Sequence, residues 1–268
     1  MQMSHKEQEV YFSLLNQERK IVTIKHLTGM SEGYARKLLF NLSRKKALYR
    51  IAKGCYILIP SDMIANPSKF INDPCIIMDQ LMGVFEEKYY VGYQSAAYLH
   101  GIAEQIPFTV SVAIQDQRRP LRIGSQKIEF RKVSTSKFFG IERMNYSGSF
   151  LNVSDLEKTI IDCLERYDLC GGIDEVTRTI SNAVDRIDGK RLIEYLGRVG
   201  SKPLWHRLGF ILDRLFQNSY RVNKKILSDI HSHLSNRIYP LDPKAGSGRL
   251  SKKWGIVENV NCMSWLHA

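Results

Sequence analysis

Between residues 31 and 60 the chain carries a pattern that few architectures accept. Ser31 stands at a helix N-cap position, and Ala35, Leu38, Leu39 and Leu42 then share one face of a helix running to about residue 46. Gly33, Arg36, Lys37, Phe40 and Arg44 fall roughly on the other side. Residues 48–51 and 56–59 follow as two short strands, joined through the tight turn of Ala52, Lys53 and Gly54. Pro60 closes the segment, because it brings no N–H to a continuing ladder. The expectation is a helix with a cationic outer face and, directly behind it, a basic hairpin.

The residues before this segment complete the pattern. Residues 4–17 form one helical stripe, with Val10, Phe12, Leu14 and Leu15 as its apolar members. A second, short helix is expected from about Thr23, with Ile24 and Leu27 facing inward and Gly29 stopping it in the left-handed region. Two helices joined by a short turn, the second basic on its outside, form a helix-turn-helix, and the hairpin behind it is a wing. In that arrangement the outer face of the third helix enters the major groove, and Arg50 and Lys53 lie near the phosphate backbone or the minor groove. The candidate DNA contacts are Lys25, Ser31, Tyr34, Arg36, Lys37, Phe40, Asn41, Arg44, Lys45, Arg50 and Lys53. The competing account is a three-helix packing module that meets no nucleic acid, in which Tyr34 and Phe40 are packing residues.

Charge supports the first account. Of 268 residues, 39 are Lys or Arg and 27 Asp or Glu, a net +12. Residues 1–60 hold 11 basic and 4 acidic side chains, and residues 200–268 again hold 11 and 4, whereas 61–199 hold 17 and 19. Cationic ends around a near-neutral middle suit contact with a polyanion, since each Lys or Arg set on a phosphate releases counterions.

Downstream, residues 61–87 read as a linker with turn signals at Asn66-Pro67 and Asp73-Pro74, followed by a connecting helix in the apolar run 75–85. Residues 88–268 read as a mixed α/β domain with a small sheet, a helical end and a basic tail. Strands are expected at 108–114, 121–123, 127–131 and 149–153, and a short helix at 95–100 closed by Gly101. Ser154, Asp155, Leu156 and Glu157 form a capping-box sequence, with Ser154 as N-cap, for a helix running to about residue 167. Gly171-Gly172 makes a turn into a helix ending near residue 183, and further helices are expected at 188–199, 203–216 and 223–234. The stretch from Tyr239 onward is punctuated by Pro and Gly and reads as extended. The fold class is therefore α+β: an N-terminal winged helix-turn-helix over 1–60, the linker and connecting helix, then the α/β domain.

Several chemistries find little footing. No run of about 18 apolar residues exists and the first residues lack an apolar leader, so a cytoplasmic protein with no membrane partner is expected. The five cysteines contain no C-x-x-C pair and read as buried thiols. His231 and His233 lie two apart on a helix and point in different directions, so no metal is expected, and no cofactor. His100 reads as a helix-end residue meeting the last carbonyls. Asp116 with Glu129 and Arg131 faintly resembles a metal-dependent nuclease, but arginine is a poor proton shuttle. Gly171-Gly172 lacks the context of a phosphate-binding loop, and Ser154 has no base at hand. The expectation is a protein that is not an enzyme. Arg249, Lys252, Lys253 and Trp254 form a second cationic cluster with an aromatic beside it, which suits a polyanion or an acidic partner surface; a solvated tail with one packed Trp explains it equally.

Taken in order, these segments resemble the AbiEi family of antitoxins and transcriptional regulators. The residues concerned are the N-terminal segment ending GCYILIP, then YYVGYQSAAYLHGI with IPFTVSVAI, RRPLRIGSQKIEFRKV, NVSDLEKTIIDCL with Gly171-Gly172, and HRLGFILDRL. The resemblance covers about residues 1–220. It implies a winged helix that represses its own operon by binding promoter repeats; separately, a symmetric operator would call for two copies, so a monomer in solution or a dimer formed on the DNA is expected. The resemblance also implies a C-terminal domain that counters a nucleotidyltransferase-like toxin, in the type IV manner without a stable complex, and it supplies no catalytic residue. The alternative function is a ligand-responsive winged-helix regulator with no toxin partner; a nuclease ranks below both.

Overall fold

A computed structural model describes residues 3–66 and 73–264 of the chain. Pro67 of the expected Asn66-Pro67 turn lies outside the described residues. The architecture is α+β, with helices and several separate sheets. The chain divides into two compact units. The first comprises Met1–Tyr89, Phe108–Lys132 and Arg143–Asn152; the second comprises Tyr90–Pro107, Val133–Glu142 and Val153–Ala268.

In the first unit, α1 (His5–Asn16) starts at a capping box: the Glu7 N–H donates to Ser4 Oγ, and the Ser4 N–H donates back to Glu7 Oε2. β1 (Ile21–Thr23) follows, and a single 3-10 turn at Ile24–His26 stands where a short helix is expected. The Thr23 N–H donates to His26 Nδ1 at 3.1 Å, which ties the turn after three residues. α2 (Glu32–Arg44) buries Ala35, Leu38, Leu39 and Leu42. β2 (Leu48–Ala52) and β3 (Cys55–Leu58) form the hairpin, with a register shift between Arg50 and Ala52 and Gly54 at φ +72° in the turn. β1 joins the outer side of β3, giving the order β1-β3-β2. Val10, Tyr11 and Leu14 of α1 meet the buried face of α2, Val22, Leu48 and Leu58 in one core, and the Tyr11 hydroxyl donates to the Ile59 carbonyl at 2.7 Å.

The connecting segment continues this unit. A 3-10 turn (Pro74–Ile77) leads into α3 (Met78–Val84). Gln80 of α3 accepts from the N–H groups of Lys20 and Ile21 and donates to the Glu18 carbonyl, so its side-chain amide covers the free edge beside β1. β5 (Thr109–Ile114) pairs in parallel with β7 (Gln126–Lys132), and β6 (Leu121–Ile123) pairs antiparallel with β7.

Three further strands are β4 (Tyr89–Val91), β8 (Ile141–Tyr146) and β9 (Ser149–Ser154). The sequence pattern leaves β4 and β8 unmarked, because neither alternates. In the second unit β4 and β9 pair in parallel at Val91 and Val153. The helices are α4 (Tyr93–Leu99), α5 (Leu156–Glu165), α6 (Ile173–Ala183), α7 (Gly189–Val199), α8 (Lys202–Gln217) and α9 (Lys224–Ser232). α5 and α8 are covered nearly all round, and Ile160, Leu164, Leu208, Phe210, Ile211 and Leu212 lie in one large core. The tail is more regular than an extended strap. β10 (Tyr239–Pro240), β11 (Arg249–Ser251) and β12 (Ile256–Glu258) form a small sheet in the order β10-β12-β11. Among the described residues no helix is long and apolar enough to cross a membrane.

Candidate nucleic-acid interface

α2 sorts its residues by a simple rule: what is apolar and at helical spacing goes inward, and the rest stays in water. Ser31, Tyr34, Arg36, Lys37, Phe40 and Arg44 are all exposed, and Asn41 is half-buried. Arg36 pairs with Glu32 one turn earlier, and the Arg44 guanidinium sits 6.0 Å from the centre of the Phe40 ring. On the hairpin, Arg50 and Lys53 are exposed, with Arg50 Nε 3.4 Å from the Ala52 carbonyl. Lys25, in the 3-10 turn, is exposed and 3.6 Å from an exposed Glu86 carboxylate. Surface pairs of this kind contribute little and exchange readily for a phosphate partner.

Lys45 is different. Its side chain is 13% exposed and its ammonium is ion-paired with buried Glu7, the residue that caps α1. The Lys45 contact, with the Ser4 N–H next, pulls the Glu7 carboxyl down to about 2. Lys45 therefore fastens α1 to the end of α2, and its ammonium is engaged within the fold where a free surface cation is expected.

A groove of about 500 Å³ that no sequence signal marks lies beside the hairpin turn, lined by Arg19, Lys25, His26, Lys53 and Glu86 with Ile21, Ile24 and Val84. Arg19 and α3 complete it, and no local spacing links residues 19, 53 and 84.

The tail cluster comes apart. Arg249 and Lys252 are exposed, but Trp254 is 1% exposed and donates from Nε1 to Asp213 Oδ2 at 2.9 Å. Lys253 Nζ lies 2.7 Å from the other oxygen of Asp213. Trp254 is thus a core residue of the second unit, because its indole fills the space over Gly209, and it offers no surface ring to a polyanion. A smaller groove of about 260 Å³ remains beside Arg214, Arg249 and Lys253, with Asp213 and Glu258 facing them.

The segment 154–165 holds polar side chains whose places differ from the expected capping box. The N-cap of α5 is Asp155, not Ser154: Asp155 Oδ1 accepts from the Lys158 N–H at 2.9 Å, and its other oxygen accepts from the Tyr195 hydroxyl at 2.8 Å. Ser154 instead shares a hydrogen bond with Thr159 at 2.7 Å. Glu157, freed from capping, accepts from the Asp188 N–H at 2.7 Å and faces Arg191. Buried Lys158 is ion-paired with buried Asp162, and both contact the Tyr90 hydroxyl at 3.1 Å. The rings of Tyr90 and Phe139 flank the ammonium at 5.2 Å each. Burial pushes the Asp162 carboxyl up, against the pull of Lys158. The i,i+4 spacing of Lys158 and Asp162 is the one sequence signal that marks this pair.

The remaining candidates also find structural places. His100 caps the end of α4, but its Nε2 meets the Ser154 carbonyl at 2.7 Å, not the last carbonyls of its own helix. His231 packs edge-on to Trp254 while His233 stacks on Trp205 with ring centres 4.4 Å apart, so the two rings serve different neighbours. Glu129 accepts from both Lys127 and Arg131 on β7, and Lys127, with Arg131 assisting, holds its carboxyl below the usual range. Among the described residues no three His, Cys, Asp or Glu side chains converge as metal ligands.

No protein-family model and no curated protein matches the sequence. Among solved structures, the crystal structure of the RV2827C protein from Mycobacterium tuberculosis superposes with a TM-score of 0.67 at 15% identity, over 96% of this chain and 92% of that one. At that identity the likeness concerns the fold, and it extends along nearly the whole chain.

Proposed function

We propose that this chain is a DNA-binding antitoxin that represses its own operon through a winged helix formed by α1, the 3-10 turn, α2 and the β2–β3 hairpin. One observation carries the DNA-binding part: Arg36, Lys37, Phe40 and Arg44 stand in solvent on the outward face of α2, with exposed Arg50 and Lys53 on the hairpin directly after it. A helix needs a free cationic face to enter a major groove, and a hairpin needs a free tip to follow the backbone. Burial of Ala35, Leu38, Leu39 and Leu42 against α1 fixes which face that is.

The antitoxin part rests on the AbiEi resemblance of residues 1–220. In this reading residues 88–268 counter a nucleotidyltransferase-like toxin without a stable complex, and the protein is a monomer or pairs on a symmetric operator. A gel shift on the promoter of its own operon tests the DNA reading: retardation is expected to weaken steeply with salt, log K falling by about 0.9 per log unit of salt for each phosphate neutralised. Lys37→Ala with Arg44→Ala should abolish specific retardation, and unchanged affinity would overturn the assignment. Co-expression with the toxin tests the other half. The same double variant should lose repression yet still rescue growth.

A ligand-responsive regulator without a toxin is the alternative, favoured by the cationic groove at Arg19, Lys25 and Lys53. A nucleotidyltransferase-like gene next to this one supports the antitoxin; its absence favours the sensor.

A further inference from the structure

Two residues on the outward face of α2 have no explanation in the fold. Phe40 is 57% exposed in the middle of the helix, although a phenyl ring contributes most when buried. Gly33 sits in the first turn, exposed, and a Cβ built there would meet nothing within 4 Å. Its φ is not positive, so its backbone does not need glycine either. Glycine in a helix costs roughly 1 kcal/mol against alanine, and here the protein gains no packing from it. Seven residues apart, Gly33 and Phe40 fall on the same stripe, two turns from one another, with Arg36 and Lys37 between them and Arg44 one turn beyond.

Resting on the DNA reading above, we propose that Gly33 and Phe40 are the sequence-reading pair of α2: the bare backbone at Gly33 lets the start of the helix approach the floor of the major groove, and Phe40 packs on thymine C5-methyl groups. The chemistry follows from the stripe. Phe40 has no hydrogen-bonding group, so the one base feature it can select in a major groove is the methyl of thymine. The flanking cations Arg36, Lys37 and Arg44 hold phosphates or guanines on either side and set the helix deep enough for the ring to reach. A glycine whose missing side chain touches nothing within the protein is the residue expected where another backbone or a ligand comes close.

The test uses the full-length protein and the promoter duplex of its own operon, amplified once with dTTP and once with dUTP, so that only the thymine methyls differ. The wild type is expected to bind the thymine duplex more tightly, by about fourfold for each methyl contacted, the worth of one buried carbon of that size. Phe40→Ala should bind both duplexes equally, and Phe40→Leu should restore part of the difference. Gly33→Ala should keep or raise the melting temperature while weakening DNA binding tenfold or more. Equal binding of the two duplexes by the wild type, with clear retardation of both, would overturn this proposal and leave the DNA reading standing. Absence of any retardation would overturn both. A Phe40→Ala protein that changes its sedimentation coefficient but keeps the preference for thymine would identify the ring as a contact between copies and would equally sink the assignment.

Discussion

The Trp254 indole donates to Asp213 while its six-membered ring lies against Gly209, so one side chain joins the end of the tail sheet to the middle of α8. A Cβ on Gly209 would come within 2.2 Å of Trp254 Cζ3 and 2.4 Å of Cε3, positions that nothing rigid can share. Gly209→Ala is therefore expected to destabilise the protein, by about 1–3 kcal/mol as an overpacked core. Trp254→Ala should cost more, about 3–5 kcal/mol, because it opens a cavity and strips Asp213 of a donor. Urea titrations of the two variants check the order; a neutral Gly209→Ala would mean that the indole does not occupy this place.

The Lys158–Asp162 pair sets a second expectation. Both side chains are buried, so the pair itself is weak grounds for stability, but removing one partner strands the other. Lys158→Met should cost about 3–5 kcal/mol, and Lys158→Met with Asp162→Leu should cost clearly less than the single change. Denaturant midpoints of the two single variants and the double variant test this. Additive losses would show that the two charges do not depend on each other. Gly140, at φ +63° with a built Cβ 2.8 Å from Lys158 Cβ, should not accept alanine either.

Glu7 gives the stability a defined acid limb. Its carboxyl is held near 2 in the folded protein against an ordinary value of 4.5, chiefly by Lys45 and then by the Ser4 N–H. A depressed carboxyl contributes stability that is complete above the unfolded value and is lost as the pH falls toward the folded one. The stability difference between wild type and Glu7→Gln should therefore be constant above about pH 5.5 and shrink between about pH 4.5 and 2. Thermal melts across that range measure it; a difference that grows on acidification would refute the Lys45 contact.

The parts of the molecule that sequence made legible are those decided by local rules. The helix over 5–16, the buried stripe of α2, the Lys53-Gly54 turn and the strands at 109–114 and 126–132 depend on neighbours within a few residues. What escaped was set by distant partners. The strand Ile21–Thr23 ahead of the turn at Ile24–His26 is set by its pairing with β3, more than thirty residues on. Asp155 takes the N-cap of α5 from Ser154 because Tyr195, forty residues on, fixes its carboxylate. Lys45 looks like any other cation of α2 until Glu7 is placed beneath it, and Trp254, which sequence leaves equally a surface ring or a packed one, is decided by the space that Gly209 supplies. The face of α2 was readable and its exact membership was not.

On the DNA reading proposed above, that distinction between Lys45 and its neighbours is measurable. Lys37 and Arg44 are exposed and Lys45 is nearly enclosed, so only the first two can release counterions from a duplex. Lys37→Ala and Arg44→Ala should each reduce the slope of log K against log salt by about 0.9, with little change in melting temperature. Lys45→Ala should leave that slope unchanged and lower the melting temperature, because the Glu7 carboxylate loses its buried partner. Fluorescence anisotropy over a series of salt concentrations, paired with melts of the three variants, separates the two roles. A reduced slope for Lys45→Ala at unchanged stability would return that lysine to the interface.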